Sequence, residues 1–275
     1  MGIRIVIYKI TGSVSKGMEI SQKNMFSGKG EGRMIATIHQ PDYIPYLGYF
    51  YKMAKADIFV YLEDAQFSSS NMHHWNKVKT PQGILRLKVP VQYHFGDTIN
   101  QVVTKDELLW KEKHLNYLEM NYARARYFDE IYPVFREMLL SQYQNLAEMN
   151  MTINSYVGER FGIKPTIIKS SELSVTLARE DRVIELCKRT GADEYFSGNG
   201  AKEYQVEDHF AQRGIRLCYT DYHSIRYPQL WGEFLPDLSV MDYILNCGFD
   251  WEYIETEIAR RKEENHYHED HDKCE

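Results

Sequence analysis

The chain is short of cysteine, of positive charge and of long apolar runs. Its four cysteines, Cys187, Cys218, Cys247 and Cys274, contain no CxxC pair. That scatter excludes a disulfide frame or a cysteine-built zinc site and fits reduced thiols of a cytoplasmic protein. A formal net charge of -6 and a pI near 6.0 argue against nucleic acid as a main partner. No apolar run reaches the roughly 18 residues that a membrane span needs, so no membrane insertion is expected. Neither a full P-loop nor a GxGxxG fingerprint is present.

What is present suits a soluble globular protein. The 275 residues are 43% hydrophobic and 26% charged, enough for one large domain or two small ones. Tyrosine is abundant, at 21 residues. It joins an apolar body to a polar tip, so the surplus fits a half-polar cleft, or a compositional habit of a low-GC genome.

Residues 1–33 are basic, rich in Ser and Gly, and lack the apolar centre of a signal peptide. Their end, Gly28-Lys29-Gly30-Glu31-Gly32-Arg33, stands directly before Met34. Gly, Lys and Glu codons begin with purines, and such a run can encode a ribosome-binding site. The expectation is that the natural start is Met34. Residues 1–33 are then upstream sequence read as protein, or a disordered extension. Residues 34–249 are expected to form a single domain, and 250–275 a charged, solvated tail whose His266 to His271 tract can take up divalent metal adventitiously.

The most informative stretch is 35–67. Ile35 to Ile38 reads as a buried strand ending at His39. A Pro- and Tyr-rich turn follows, with Gln40 and Tyr43 in it; then Phe50 to Lys55 reads as helix and Asp57 to Leu62 as a second buried strand. Polar groups gather where the first strand ends, the edge at which open α/β sheets bind ligands. After the second strand, Glu63, Asp64 and Gln66 can bind a metal, a ribose or an amine, or cap the next turn. Adjacent His73 and His74 point apart on a strand and make a poor metal pair. Asn76–Thr80 and Ile84–Val91 read as a hairpin, with Lys77 and Lys79 on one face as an anion site or a solvated edge.

Lys105–Met120, Tyr127–Tyr143 and Leu146–Phe161 have helical spacing and form a helical middle. Residues 165–219 read as β-α-β-α-β with right-handed crossovers. Within them Ser197-Gly198-Asn199-Gly200-Ala201-Lys202 is a Gly-rich turn that opens an expected helix over Glu203–Gln212. Such a turn aims backbone N–H groups at a phosphate or carboxylate, or is an ordinary strand-to-helix connection. Pro236 to Asp242 reads as a capped start to a helix over Val240–Asn246, with Asp242 facing a site or sitting in its first turn. The fold expected is α/β: a mostly parallel sheet with helices on both faces and a helical insertion.

Several spaced blocks resemble one family. They are HQPDYIPYLGYFYK, ADIFVYLEDAQF, the strand Gly83 to Val91, YFSGNGAKEY, and Tyr227-Pro228-Gln229 with Phe234 to Asp242. Together, from Met34 to about Gly248, they resemble the WbqC-like protein family. The resemblance implies surface-polysaccharide (O-antigen) synthesis and a glycine-type aminoacyl transfer onto a nucleotide-linked amino-sugar. One departure is Trp75, where the family usually carries an Arg between two Asn. More distantly, 35–62 is similar to nucleotidyltransferases with two His in the loop after the first strand, and this implies a nucleotidyltransferase-like core. Here His39 is present, and Tyr49 stands in place of the second His.

These resemblances nominate His39 and Asp64 as catalytic groups. Binding would fall to Gln40, Tyr43, Lys52, Gln66, Asn76, Lys79, Ser197, Gly198, Gly200, Lys202, Tyr204 and Gln229. His39 and Lys52 would steady phosphates. The donor would be activated by ATP with Mg²⁺, or arrive as a thioester on a carrier protein. An adenylate-forming ligase and a non-catalytic binding protein of the same pathway are the alternatives.

Overall fold

The computed structural model describes the backbone of residues 32–271 and the side chains up to residue 263. Residues 1–31 lie outside the described residues, and with them nearly all of the expected upstream extension. So do the side chains of the His-rich tract at the other end.

A parallel sheet organises the rest. Its strands are β1 (Ile35–His39), β2 (Ile58–Tyr61), β7 (Thr166–Lys169), β8 (Glu194–Ser197) and β9 (Arg216–Tyr219), in the order β7-β2-β1-β8-β9. The chain builds outward from β1 through β2 to β7, then returns to the other side of β1 with β8 and β9. The direction of winding therefore reverses between β1 and β8, at the centre of the sheet.

β2 is buried on both faces, as a near-continuous apolar strand of a parallel sheet must be. Ile58 and Val60 join Ala36 and Ile38 in one core, which Ile184 and Cys187 of α5 (Arg179–Thr190) and Phe210 of α6 (Glu207–Ala211) cover. Phe59 and Tyr61 enter the other core with Tyr49, Phe50 and Met53 of α1 (Leu47–Lys55). Side chains of this size each contribute about 1.5–3 kcal/mol when fully buried. The helices thus lie on both faces, as the sequence pattern predicts.

The insertion between β2 and β7 starts with the antiparallel hairpin β3 (Trp75–Thr80) and β4 (Gly83–Lys88) and the short pair β5 (Val91–Gln92) and β6 (Val103–Thr104). Helices α2 (Trp110–Tyr122), α3 (Phe128–Leu140) and α4 (Leu146–Arg160) follow. They share the larger core with α7 (Val240–Cys247), whose N-cap is Ser239, and with α8 (Trp251–His271).

Two local expectations change. The helix predicted over Glu203–Gln212 is only the short α6, because Asn199–Ala201 form a 3-10 turn and the N–H groups of Tyr204 and Gln205 both reach back to Ala201 O. The tail predicted to be solvated from Trp251 begins as helix, with Ile254 and Ile258 buried in the larger core. Among the described residues no helix is long and apolar enough to cross a membrane, and Cys187, Cys218 and Cys247 form no disulfide.

Candidate functional site

β1 and β8 part company before they end. Their register runs over Ile35↔Glu194 and Ala36↔Tyr195, whereas β1 stays paired with β2 as far as His39↔Tyr61. Thr37 Oγ1 makes the last link across, donating to Phe196 O at 3.1 Å. A crevice thus opens between the C-terminal ends of β1 and β8, at the reversal of winding, where doubly wound sheets hold their ligands. His39 forms one wall and Ser197-Gly198 the other.

His39 is held as a neutral imidazole. Its Nδ1 lies 3.0 Å from Gln40 O, and a carbonyl can only accept, so Nδ1 carries the proton and Nε2 keeps its lone pair. Tyr49 packs edge-on against the ring at 4.6 Å. Burial, and then the charge of Lys52, lower the His39 pKa to about 4, against a smaller opposing pull from Asp42. The side chain keeps 27% of its surface, so the free nitrogen is reachable.

Lys52 is the unusual group. It is only 5% exposed, and among the described residues its ammonium has no hydrogen bond or ion pair. Its Nζ would lie 3.7 Å from a Cβ built on Gly198, which places the charge against the turn after β8. Burial lowers its pKa to about 8, with Asp42 opposing. Near pH 7 it is still mostly cationic, a largely buried charge without an ion pair among the described residues that stands to gain by meeting an anion.

The loop from Gln40 to Tyr46 is preorganised from three directions. Asn150 and Asn154 of α4 donate to Pro41 O and Asp42 O, both at 2.9 Å. Asn76 of β3 donates to Tyr43 O at 3.0 Å and Ile44 O at 2.9 Å, and Ser239 Oγ donates to Ile44 O at 2.7 Å. Ile44 needs this hold: its φ is 38°, a left-handed conformation that β-branched residues resist. Asn76→Ala is expected to cost about 2–3 kcal/mol, since two buried carbonyls lose a donor. A urea midpoint equal to wild type would refute that role.

The fixed loop presents Asp42, a residue the motif carries but sequence reasoning left without a role. Its Oδ1 takes a hydrogen bond from His73 Nδ1 at 3.0 Å, and its Oδ2 stands 3.9 Å from His39 Nδ1. His73 is fully buried, and its Nε2 has no partner among the described residues. The signal available was the Asp three residues after the strand-end His39, in a turn whose carbonyls are otherwise taken. Nothing in the sequence links it to His73, 31 positions away.

The predicted site residues divide. His39, Ser197 and Gly198 belong to the two strand ends and the turn beside them, and Lys52 reaches that turn from α1. Gln40 contributes its carbonyl, which also accepts from Tyr49 OH at 3.3 Å. Ser197 is buried and its hydroxyl is committed to Gln205 Oε1 at 2.9 Å. Gly200, Lys202 and Tyr204 face solvent, Lys202 resting over the Tyr219 ring.

Asp64, expected as a base, is engaged elsewhere: it accepts from Ser170 Oγ and pairs with Arg182 Nη2 at 2.5 Å, beside Glu63, which takes the N–H groups of Ser170 and Ser171. These acids cap the turn after β7. Gln66 is exposed in a bridge to Thr98. Tyr43 is buried with its hydroxyl on His114 Nδ1 at 3.0 Å. Lys79 and Gln229 bond each other at 3.0 Å, and Gln229 also fixes Leu235 through both ends of its amide. Near them Asp242, fully buried, accepts from Tyr122 OH at 2.6 Å, and burial raises its carboxyl. It sits in α7's first turn, held by α2. Asn76, Lys79 and Gln229 are therefore spent on the protein's own backbone and loops.

Fold and crevice together define a doubly wound parallel α/β protein whose polar groups meet at the switch point. The chain belongs to the WbqC-like protein family, whose family model matches residues 40–252. It is also similar to "Uncharacterized protein Rv1507c" of Mycobacterium tuberculosis (strain ATCC 25618 / H37Rv), 33% identical over 219 residues, which covers 77% of this chain and 93% of that protein. No solved structure matches the chain. The matched span takes in the Gln40–Tyr46 loop, Lys52, the insertion and the turn after β8.

Proposed function

We propose that this protein transfers an acyl or aminoacyl group, of the glycine type, onto the amine of a nucleotide-linked amino-sugar in surface-polysaccharide (O-antigen) synthesis. The resemblance to the family supplies the pathway. The observation that supports group-transfer chemistry is Lys52, buried, unpaired and lodged against Gly198 in the crevice that His39 borders. Proteins keep such a charge buried at a cost to stability, and binding an anion repays it.

The acceptor nitrogen attacks the carbonyl carbon of the activated donor, and the bond from that carbon to its thiolate or phosphate leaving group breaks. His39 Nε2 takes the proton from the nitrogen. Its low pKa keeps it unprotonated at neutral pH, and Asp42 stands near enough to favour the imidazolium that forms. Lys52 balances the charge that collects on the leaving group.

A thioester on a carrier protein and an adenylate made from ATP with Mg²⁺ both fit this scheme. Tyr49 favours the first. It fills the place of the second His of the nucleotidyltransferases, and it is 1% exposed in the core. The test incubates the protein with a UDP-amino-sugar and either glycyl thioester or glycine plus ATP, and follows amide product by mass spectrometry and pyrophosphate release by a coupled assay. Amide from the thioester without pyrophosphate is expected. Glycine-dependent pyrophosphate release would move the reading to an adenylate-forming ligase. No product from either donor, with ligand binding unchanged in His39→Ala, would reduce the protein to a binding role.

A further inference from the structure

A second concave site lies in the insertion, between β4, β5 and the start of α2. It is a groove of about 560 Å³, within the range of about 300–1,000 Å³ typical of small-ligand sites. Four cations line it: Arg86 and Lys88 from β4, Lys105 after β6, and Lys113 from α2. No acidic side chain lines it. None of the four has an ion pair among the described residues, and Asp106, next in the chain to Lys105, is turned to Lys111 at 2.8 Å. In a protein with net charge -6, four unpaired cations around one groove and no counter-charge are not an average surface.

The groove also has aromatic walls. Tyr93, Trp110 and Tyr117 line it, with both tyrosines 43% exposed. Arg86 is fixed rather than waving in solvent, its guanidinium 3.4 Å from the centroid of the Trp75 ring. His74 and His114, both almost fully buried, line the groove, and His74 Nδ1 has no partner among the described residues.

We infer that this groove binds a nucleoside diphosphate group, with the phosphates on Arg86, Lys88, Lys105 and Lys113 and the base against the exposed Tyr93 and Tyr117 rings. Cations alone would serve any anion. The combination with ring faces suits a ligand that carries phosphate and a flat heterocycle together, since every base has a π-face that an aromatic side chain can stack on. The site is distinct from the crevice at the switch point, and the inference does not depend on the transfer reaction proposed there.

Isothermal titration calorimetry of the full chain with UDP, ADP, uridine and inorganic pyrophosphate tests it. Saturable binding of at least one nucleoside diphosphate is expected, with pyrophosphate and uridine each at least about tenfold weaker. The double variant Lys88→Glu/Lys113→Glu changes exposed side chains only. It is expected to keep the thermal midpoint and to weaken nucleotide binding at least about 30-fold, whereas Lys52→Met is expected to leave that binding within twofold of wild type. Four results would overturn the inference. They are no saturable nucleotide binding, pyrophosphate binding as tight as nucleotide, loss of binding in Lys52→Met but not in the charge reversals, and charge-dependent sedimentation with phosphatidylglycerol vesicles in place of nucleotide binding.

Discussion

Taking the protein from pH 7 to pH 5 is expected to remove about 4 kcal/mol of its stability, most of it through His74 and His114. Burial holds both at a pKa of about 4, against 6.5 for an ordinary imidazole, and holds His39 likewise. At His114 burial is the cause: the ring is 4% exposed, and its interaction with the Lys88 backbone pulls the pKa weakly the other way. Its Nδ1 lies 3.0 Å from Tyr43 OH. At His74, the charges of Lys88, His73 and Arg86 add to the burial.

The sign follows from proton counting. The unfolded chain takes up protons as pH falls through 6.5, and the folded chain does not until about 4. Unfolding therefore binds protons in that window, so the stability is complete above pH 6.5 and declines as pH falls toward 4. Each such histidine is worth about 1.8 kcal/mol between pH 7 and 5, with less from His39 because it is partly exposed. Asp242 acts in the opposite direction, since its raised pKa makes the folded chain the better proton binder near its own titration. Against a typical total of about 5–15 kcal/mol, the net loss moves a urea midpoint a long way. In His74→Gln/His114→Gln the midpoint is expected to be lower at pH 7 and to change far less with pH. A wild-type midpoint equal at pH 7 and pH 5 would defeat the argument.

These histidines show what the sequence could and could not disclose. Apolar periodicity was enough for β1-α1-β2 and for the β-α-β-α-β run, because those elements carry local patterns of period 2 or 3.6. It was enough to set His39 and Ser197 at strand ends. That those ends are neighbours depends on strand order, which no local pattern encodes. Polar side chains were harder, because residue type does not say whether the partner is a ligand or the chain's own backbone. Asn76, Lys79 and Gln229 are spent on groups 32, 33, 150 and 154 positions away, and Asp64 on Ser170, 106 away. Asp42 was overlooked for the same reason. In the hairpin, attention to Lys77 and Lys79 missed the other strand, where Arg86 and Lys88 share a face by their i, i+2 spacing and line the groove.

Replacing Lys52 with Met is expected to make the protein more stable and to disable the crevice. The side chains are similar in volume, and a buried position with no counter-ion suits the thioether better than the ammonium. The pKa of about 8 against an ordinary 10.5 says that folding disfavours the charged form, by an amount on the order of 3 kcal/mol below pH 8. The gain should therefore be full at neutral pH, shrink as pH rises from 8, and vanish above 10.5, as the lysine becomes neutral in both states. Thermal or urea midpoints at pH 7 and pH 10 check both parts. Equal midpoints for wild type and Lys52→Met at pH 7 would mean that the charge is paired after all. Function is expected to move the other way. Glycyl thioester donors that raise the wild-type midpoint should not raise that of Lys52→Met. His39→Ala, which leaves Lys52 in place, should keep donor binding and lose about 10²–10⁴-fold in transfer rate. Stability gained where binding is lost would mark Lys52 as a charge kept buried for what it meets there.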